Sequence, residues 1–193
     1  PGQCLYPASS PLFAGVGGTA LDINENGERT SVESAWENGG GGASSVFSIP
    51  DYQNAFRPIS FMSQSMRAMP DVSFFASGAS GAAVYFTSQR LSESGWISAD
   101  GTSLGTPVWA GIAAMCLEAS GGALRGHDRF MHFLYELAGT TAYSNVGGSY
   151  TDIVTGGNGV FYASKGFDFC TGLGSPVVKN ILTAAKKLRS SGT

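Results

Sequence analysis

Apolar positions in this chain fall into short runs of two different periods, separated by clusters of Gly, Ser, Asn and Asp. Residues 12–19 (LFAGVGGT), 71–76 (DVSFFA) and 82–86 (AAVYF) are brief, rich in β-branched and aromatic side chains, and bounded by turn residues, which predicts strands. Residues 30–36 alternate only in part and predict a further strand. Ser77-Gly78-Ala79-Ser80-Gly81 has the composition of a turn between two of these runs. Later in the chain the period lengthens. The apolar run 108–116 (VWAGIAAMC) predicts a helix, and Phe130, Phe133, Leu134 and Leu137 fall on one face of a second. A last amphipathic helix carries Val178, Ile181, Leu182 and Ala185 inward, with Lys179, Lys186, Lys187 and Arg189 largely outward. Strands interleaved with helices predict an α/β fold, without internal repeats or a domain boundary.

Composition narrows the function classes. The 193 residues suit one domain or a large piece of one, and 42% hydrophobic content with 12 Phe is enough for a core. Eleven basic residues and a net charge of −3 leave no electrostatic footprint for nucleic acid. No apolar run approaches the length of a membrane span. The start, Pro1-Gly2-Gln3-Cys4, has neither an initiator methionine nor a signal peptide, which is the expectation for a processed, truncated or excised chain. Cys4, Cys116 and Cys170 have no metal-ligand spacing. Cys116 reads as a core residue. Cys4 can pair with Cys170 or with a residue outside this chain. Four consecutive glycines, 39–42, predict either a surface linker or a loop beside a substrate cleft.

The strongest chemical signal is Gly101-Thr102-Ser103 opening the apolar helix. A serine there meets unpaired backbone N–H groups and the positive end of the helix dipole, both of which favour a developing oxyanion. Pro107 is expected in the first helical turn, where no backbone donor is lost. A lone Gly-Thr-Ser is otherwise an ordinary N-cap, so the surrounding segments decide.

Those segments carry a resemblance. Tyr6-Pro7-Ala8-Ser9-Ser10-Pro11 running into Val16-Gly17-Gly18-Thr19 is one. Glu33 and Trp36, followed by the Gly-rich loop and Pro50-Asp51-Tyr52-Gln53, are a second, and Pro70-Asp71-Val72-Ser73 a third. The serine segment itself comes next. Asp152-Ile153, Gly166-Phe167-Asp168 and Thr171-Gly172-Leu173-Gly174-Ser175-Pro176 complete the series. Together and in this order they resemble the serine-carboxyl peptidases, the sedolisins, over almost the whole chain. The resemblance implies a subtilisin-like parallel sheet with flanking helices, represented here by its C-terminal part over residues 1–193.

It further implies that Ser103 is the acylating nucleophile in hydrolysis of a protein or peptide substrate at acidic pH. The family's general base is a glutamate held by an aspartate, and a further aspartate supplies the oxyanion hole. All three precede the segment that resembles Tyr6–Pro11, so they are expected from a complementary N-terminal chain of the same precursor. This chain alone is then expected to be inactive. His127 and His132 follow the serine and read as surface or packed histidines. Glu25, Glu28, Glu33 and Glu37 precede it, and recruitment of one as base is the internal alternative. Asp100 stands where the family commonly has glycine, and Leu104-Gly105 replaces a smaller pair.

By the same resemblance Asp152 and Asp168 supply carboxylates, and Ile153, Ser164 and Gly166 carbonyls, to a Ca²⁺ ion. Such an ion takes several oxygen ligands. Spacing alone reads both aspartates as caps of turns in a Gly-rich loop. A secreted or lysosomal-type acidic compartment follows from the family. The alternative from another class is a non-catalytic scaffold of peptidase ancestry that binds peptides or a partner chain.

Overall fold

The computed structural model describes residues 4–56, 59, 63–78, 81–88, 90, 93–139 and 143–190. Its centre is a small sheet in which β1 (Val16–Ala20) lies between β2 (Ser34–Ala35) and β5 (Val72–Ser77). The β1–β5 pair is parallel, in register from Val16 opposite Val72 to Thr19 opposite Phe75. Glycine makes β1 possible. A Cβ at Gly17 would stand 2.6 Å from the Pro70 ring and 2.8 Å from the Cys170 carbonyl, and one at Gly18 would meet Ala76 and Trp36 at 2.8 Å. The paired glycines are therefore a close-packing device inside the strand.

Three further pairs are antiparallel: β3 (Gly42–Ser48) with β4 (Met66–Met69), β6 (Ala82–Ser88) with β7 (Glu93–Ala99), and β8 (Tyr150–Thr151) with β9 (Ser175–Pro176). The helices are α1 (Asp51–Asn54), α2 (Thr102–Ala119), α3 (His127–Ala138) and α4 (Val178–Ser190). All three long helices form where periodicity places them. Met131, Phe133, Leu134 and Leu137 of α3 are buried, as are Ile181 and Ala185 of α4, while Lys179, Lys186, Lys187 and Arg189 are exposed. Burying each of the large aliphatic side chains is worth about 1.5–3 kcal/mol. Helix α2 lies on β1 and β5. A Cβ at Gly105 would come within 2.8 Å of Phe74, so this glycine sets how closely the helix meets the sheet. The Trp109 indole N–H donates to the Ser73 carbonyl at 3.0 Å and fixes the register of helix on strand.

Beneath the sheet lies a polar core. Arg67 and Asp71 are fully buried and paired at 2.6 Å. The second Asp71 oxygen accepts from Arg67 at 2.9 Å, from the Tyr135 hydroxyl at 2.6 Å and from the Gln53 amide at 3.1 Å. The Gly15 N–H donates to the first at 2.6 Å. Gln53 also bonds both backbone groups of Ala68 at 2.9 Å. A buried charge survives only when so enclosed. The network ties α1, β4, β5 and α3 together at the start of the strand that leads to Ser103.

Several expectations shift. Residues 12 and 13 lie before β1 and are exposed, because β1 starts only at Val16. Cys4, Cys116 and Cys170 are all free thiols, with Cys116 in the core as expected. Ala79 and Ser80 of the expected turn lie outside the described residues.

Candidate functional site

The serine turn is built by β5 and α2. Strand β5 ends at Ser77, and the Ala76 carbonyl accepts the Gly101 N–H at 2.6 Å, fastening the start of the helix to the end of the strand. Gly101 sits at φ +80°, a left-handed conformation open to glycine and strained for other residues, so the chain can turn abruptly into α2. Ser103 is then the second helical residue, and it is exposed. The N–H groups of the first turn have no intrahelical acceptors. Among the described residues, Leu104 N–H bonds back to Gly101, while those of Thr102 and Ser103 have no backbone partner.

Pro107 is placed differently from expectation. The helix starts at Thr102, so Pro107 is the sixth helical residue and lies beyond the first turn. Its missing donor is the one that would have bonded the Ser103 carbonyl. The Thr106 hydroxyl compensates next door by donating to the Thr102 carbonyl at 2.9 Å. The proline thus loosens the helix ladder under the serine.

Among the described residues, none of the four upstream glutamates hydrogen-bonds Ser103. Glu33 is buried, accepting from Thr19 Oγ1 at 2.7 Å and Ser175 Oγ at 3.1 Å, with Arg29 at 3.3 Å. It clamps β1 to β9. Glu25, Glu28 and Glu37 are exposed. His127 Nε2 lies 2.9 Å from the Pro11 carbonyl, and both histidines stack edge-on against Tyr52, so they are packed residues.

Alongside α2 runs an apolar groove of about 460 Å³ between that helix, α3 and the β1–β5 pair, lined by residues such as Val16, Val72, Trp109, Ala110, Phe130 and Leu134. Ser103 is not among its lining residues. The groove is where core of this fold faces outward.

The second candidate site joins residues 152–153 to the loop 164–168. Asp152 accepts the Gly166 N–H at 3.0 and 3.1 Å on its two oxygens. Asp168 is buried and accepts from Ser164 N–H at 2.9 Å, Cys170 N–H at 2.8 Å and Thr171 N–H at 2.9 Å. Desolvation raises both carboxyls above their ordinary value, only partly offset by these hydrogen bonds and, for Asp152, by Lys165. The nearby Tyr143 phenol is held well above its usual range by burial and by both carboxylates. Both carboxylates thus lie within electrostatic reach of the Tyr143 ring. The carbonyls of Ile153, Ser164 and Gly166 accept no hydrogen bond among the described residues. This donor set, two carboxylates and three uncommitted carbonyls, has the oxygen chemistry that suits a hard cation. No group of three or more His, Cys, Asp and Glu with metal-binding geometry occurs among the described residues.

What sequence reasoning left out is the Arg67–Asp71–Gln53–Tyr135 network. Both Asp71 and Gln53 stand in segments that carry the resemblance, which was the available signal. Nothing local in the sequence marks Arg67, and only the fold shows its partner.

No family model matches the chain. Sedolisin from Pseudomonas sp. (strain 101) is 30% identical over 201 aligned residues, spanning 97% of this chain and 30% of that protein. Kumamolisin from Bacillus sp. (strain MN-32) is 29% identical over 188 residues, spanning 93% of this chain and 32% of its own length. Tripeptidyl-peptidase 1 from Canis lupus familiaris is 34% identical over 124 residues, 58% of this chain and 20% of that protein. A solved structure of Pseudomonas sedolisin, a serine-carboxyl proteinase complexed with two molecules of pseudo-iodotyrostatin, superposes with a TM-score of 0.74 at 28% identity. It covers 97% of this chain and 49% of that one. The chain thus spans about a third or less of the length of these curated relatives, and half of the solved chain. Sequence and fold agree across nearly all of its residues: the chain belongs to the sedolisin family and has a subtilisin-like α/β fold.

Proposed function

We propose that this chain is the serine-bearing part of a peptidase that cleaves peptide bonds at acidic pH, with Ser103 as nucleophile. The observation that carries the reading is the Ser103 turn: an exposed hydroxyl on the second residue of an 18-residue helix, behind a glycine at φ +80°. The Ser103 oxygen adds to the substrate carbonyl carbon, and the tetrahedral adduct expels the amine to leave an acyl ester. Water then hydrolyses that ester and restores the hydroxyl. The free N–H groups of the first helical turn favour the negative charge that develops on the carbonyl oxygen.

A serine hydroxyl is a weak nucleophile unless a base accepts its proton. Here Glu33 is committed to Thr19, Ser175 and Arg29, and both histidines are packed against Tyr52. On the resemblance to the serine-carboxyl peptidases, the base, its supporting aspartate and the oxyanion aspartate are assigned to a complementary N-terminal segment of the same precursor. A carboxylate base works on the acid side of neutrality, which fits a secreted or lysosomal-type acidic compartment. Among the described residues no helix is long and apolar enough to cross a membrane. The family's Ca²⁺ ion is assigned to Asp152 and Asp168 with the carbonyls of Ile153, Ser164 and Gly166. When bound it would neutralise the two carboxylates and pin the loop that precedes β9.

The test is acylation. An irreversible peptidyl phosphonate or a peptide aldehyde should modify Ser103 once the complementary segment is added, and the 193-residue chain alone should leave a denatured protein uncut across acidic pH. Labelling of another residue would overturn the nucleophile. Robust Ser103-dependent cleavage by the chain alone would overturn the division of labour and send attention to Glu33 and Glu37.

A further inference from the structure

The hairpin that feeds the serine turn carries a pair of exposed aromatic rings. Strands β6 and β7 pair in register over seven residues each, with Tyr85 directly opposite Trp96. The two rings meet edge to face at 5.4 Å between centroids and 75° between planes. Neither is covered: Trp96 is 72% exposed and Tyr85 56%. They share the outward face of the ribbon with the small polar residues Thr87, Ser94 and Ser98, while Val84, Phe86 and Ala99 on the other face are half-buried. The contrast with Trp109, buried and bonded to the Ser73 carbonyl, is plain.

Among the described residues the ribbon is two-stranded. It is continuous with the serine turn. Strand β7 ends at Ala99, the next residues are Asp100 and Gly101, and the Gly101 N–H is fixed to the end of β5. From Trp96 to Ala99 the strand runs about 10 Å at about 3.3 Å per residue. An extended polypeptide whose carbonyl lies at Ser103 therefore reaches Trp96 with roughly three to five residues.

Resting on the peptidase reading above, we propose that Tyr85 and Trp96 form an apolar subsite, and that its occupant is a large apolar side chain of the polypeptide substrate a few residues from the scissile bond. Two rings at an angle present one continuous hydrophobic surface at low entropic cost, since each is fixed by only two torsions. The charged residues nearest in sequence, Arg90, Glu93 and Asp100, flank the strand rather than the ring pair, and the rings themselves favour apolar side chains over charged ones.

A proximity assay separates this inference from the nucleophile assignment, because it needs no catalytic base. Ser103→Cys is treated with bromoacetyl peptides in which one to five Gly/Ser spacers precede either Phe or Gly, and alkylation of the introduced thiol is followed by peptide-mapping mass spectrometry. The native thiols interfere little, since burial raises Cys116 and Cys170 to about 11 and also raises Cys4. The expected result is a Phe-over-Gly acceleration of at least about fivefold at one spacer length, lost in Trp96→Ala and Tyr85→Ala and largely kept in Trp96→Phe. Acceleration that survives both alanine variants, or none at any length, overturns the subsite. If the alanine variants lower only the melting temperature, the pair serves the ribbon alone and the proposal fails. Failure of the peptidase reading looks different: the Phe preference persists, yet the phosphonate leaves Ser103 unmodified with the complementary segment present.

Discussion

Tyr135→Phe removes one oxygen from the buried network that sets the start of β5, and its cost follows from the contacts that oxygen makes. The hydroxyl donates to an Asp71 carboxylate oxygen at 2.6 Å and accepts from the Gln53 amide at 2.8 Å, in a site where Asp71 and Arg67 are both fully buried. Burial and the adjacent Asp71 charge hold the phenol protonated well beyond its usual range, so it is a donor at every working pH. A hydrogen bond to a charged group is worth about 1.5–3 kcal/mol. Asp71 keeps Arg67, Gly15 and Gln53 after the change, so no charge is orphaned and the loss stays near the middle of that range, about 2 kcal/mol. For a chain of this size that is a fall of roughly 4–8 °C in Tm. Asp71→Ala differs in kind. It leaves the Arg67 guanidinium buried without its counter-ion, which costs about 3–5 kcal/mol. Urea unfolding of the two variants followed by tryptophan fluorescence gives both numbers. A Tyr135→Phe loss below about 0.5 kcal/mol would refute the network as drawn, since a hydroxyl at these distances cannot be that idle.

Other outcomes follow from single residues. Ser103→Ala should abolish phosphonate labelling while leaving Tm within about 1–2 °C, because the hydroxyl is exposed; a large fall in Tm would assign the serine to the cap alone. Gly101→Ala forces a side chain into φ +80° and should cost about 1 kcal/mol or more in urea unfolding and slow labelling of Ser103; unchanged labelling would separate the turn from the chemistry. Excess chelator should lower the Tm of calcium-equilibrated protein, and Asp168→Asn should abolish the difference; identical melting curves with and without chelator would restore the turn-cap reading of the two aspartates. Cys116 and Cys170 give an alkaline signature. Their folded values lie near 11 against an unfolded value of 9.0, so above pH 9 the unfolded chain sheds protons that the folded chain keeps. Stability then falls as pH rises from about 9 towards 11. Unfolding free energies measured across that window should fall less steeply in Cys116→Ala, where Cys170 remains, and a flat wild-type profile would contradict the burial of these thiols.

How much of this was legible in the sequence depends on whether a residue's role is local. The turn at Gly101, the exposed Ser103 and the faces of α3 and α4 are set by nearest neighbours in the chain, and composition and period show them. Strands β3 and β4 are not. GASSVFS carries little apolar alternation, and MRAM hides a buried Arg67 whose partner, Asp71, becomes visible only when α1, α3 and β5 close around it. The same limit displaced Pro107: the period located the helix, but only the Gly101–Ala76 bond fixed its first residue, and with it the carbonyl the proline leaves unbonded. The resemblance reached further because it compares positions rather than periods. It named Asp152 and Asp168, well separated along the chain until each meets the loop at 164–166, where spacing alone read caps. It named the carbonyls of Ile153, Ser164 and Gly166 as well, and the structure adds that they accept no hydrogen bond among the described residues and that burial raises both carboxyls. A turn-capping aspartate is satisfied by the N–H groups it accepts. Here burial raises both carboxyls despite those bonds, and the chelator and Asp168→Asn melts decide between a cap and a cation site.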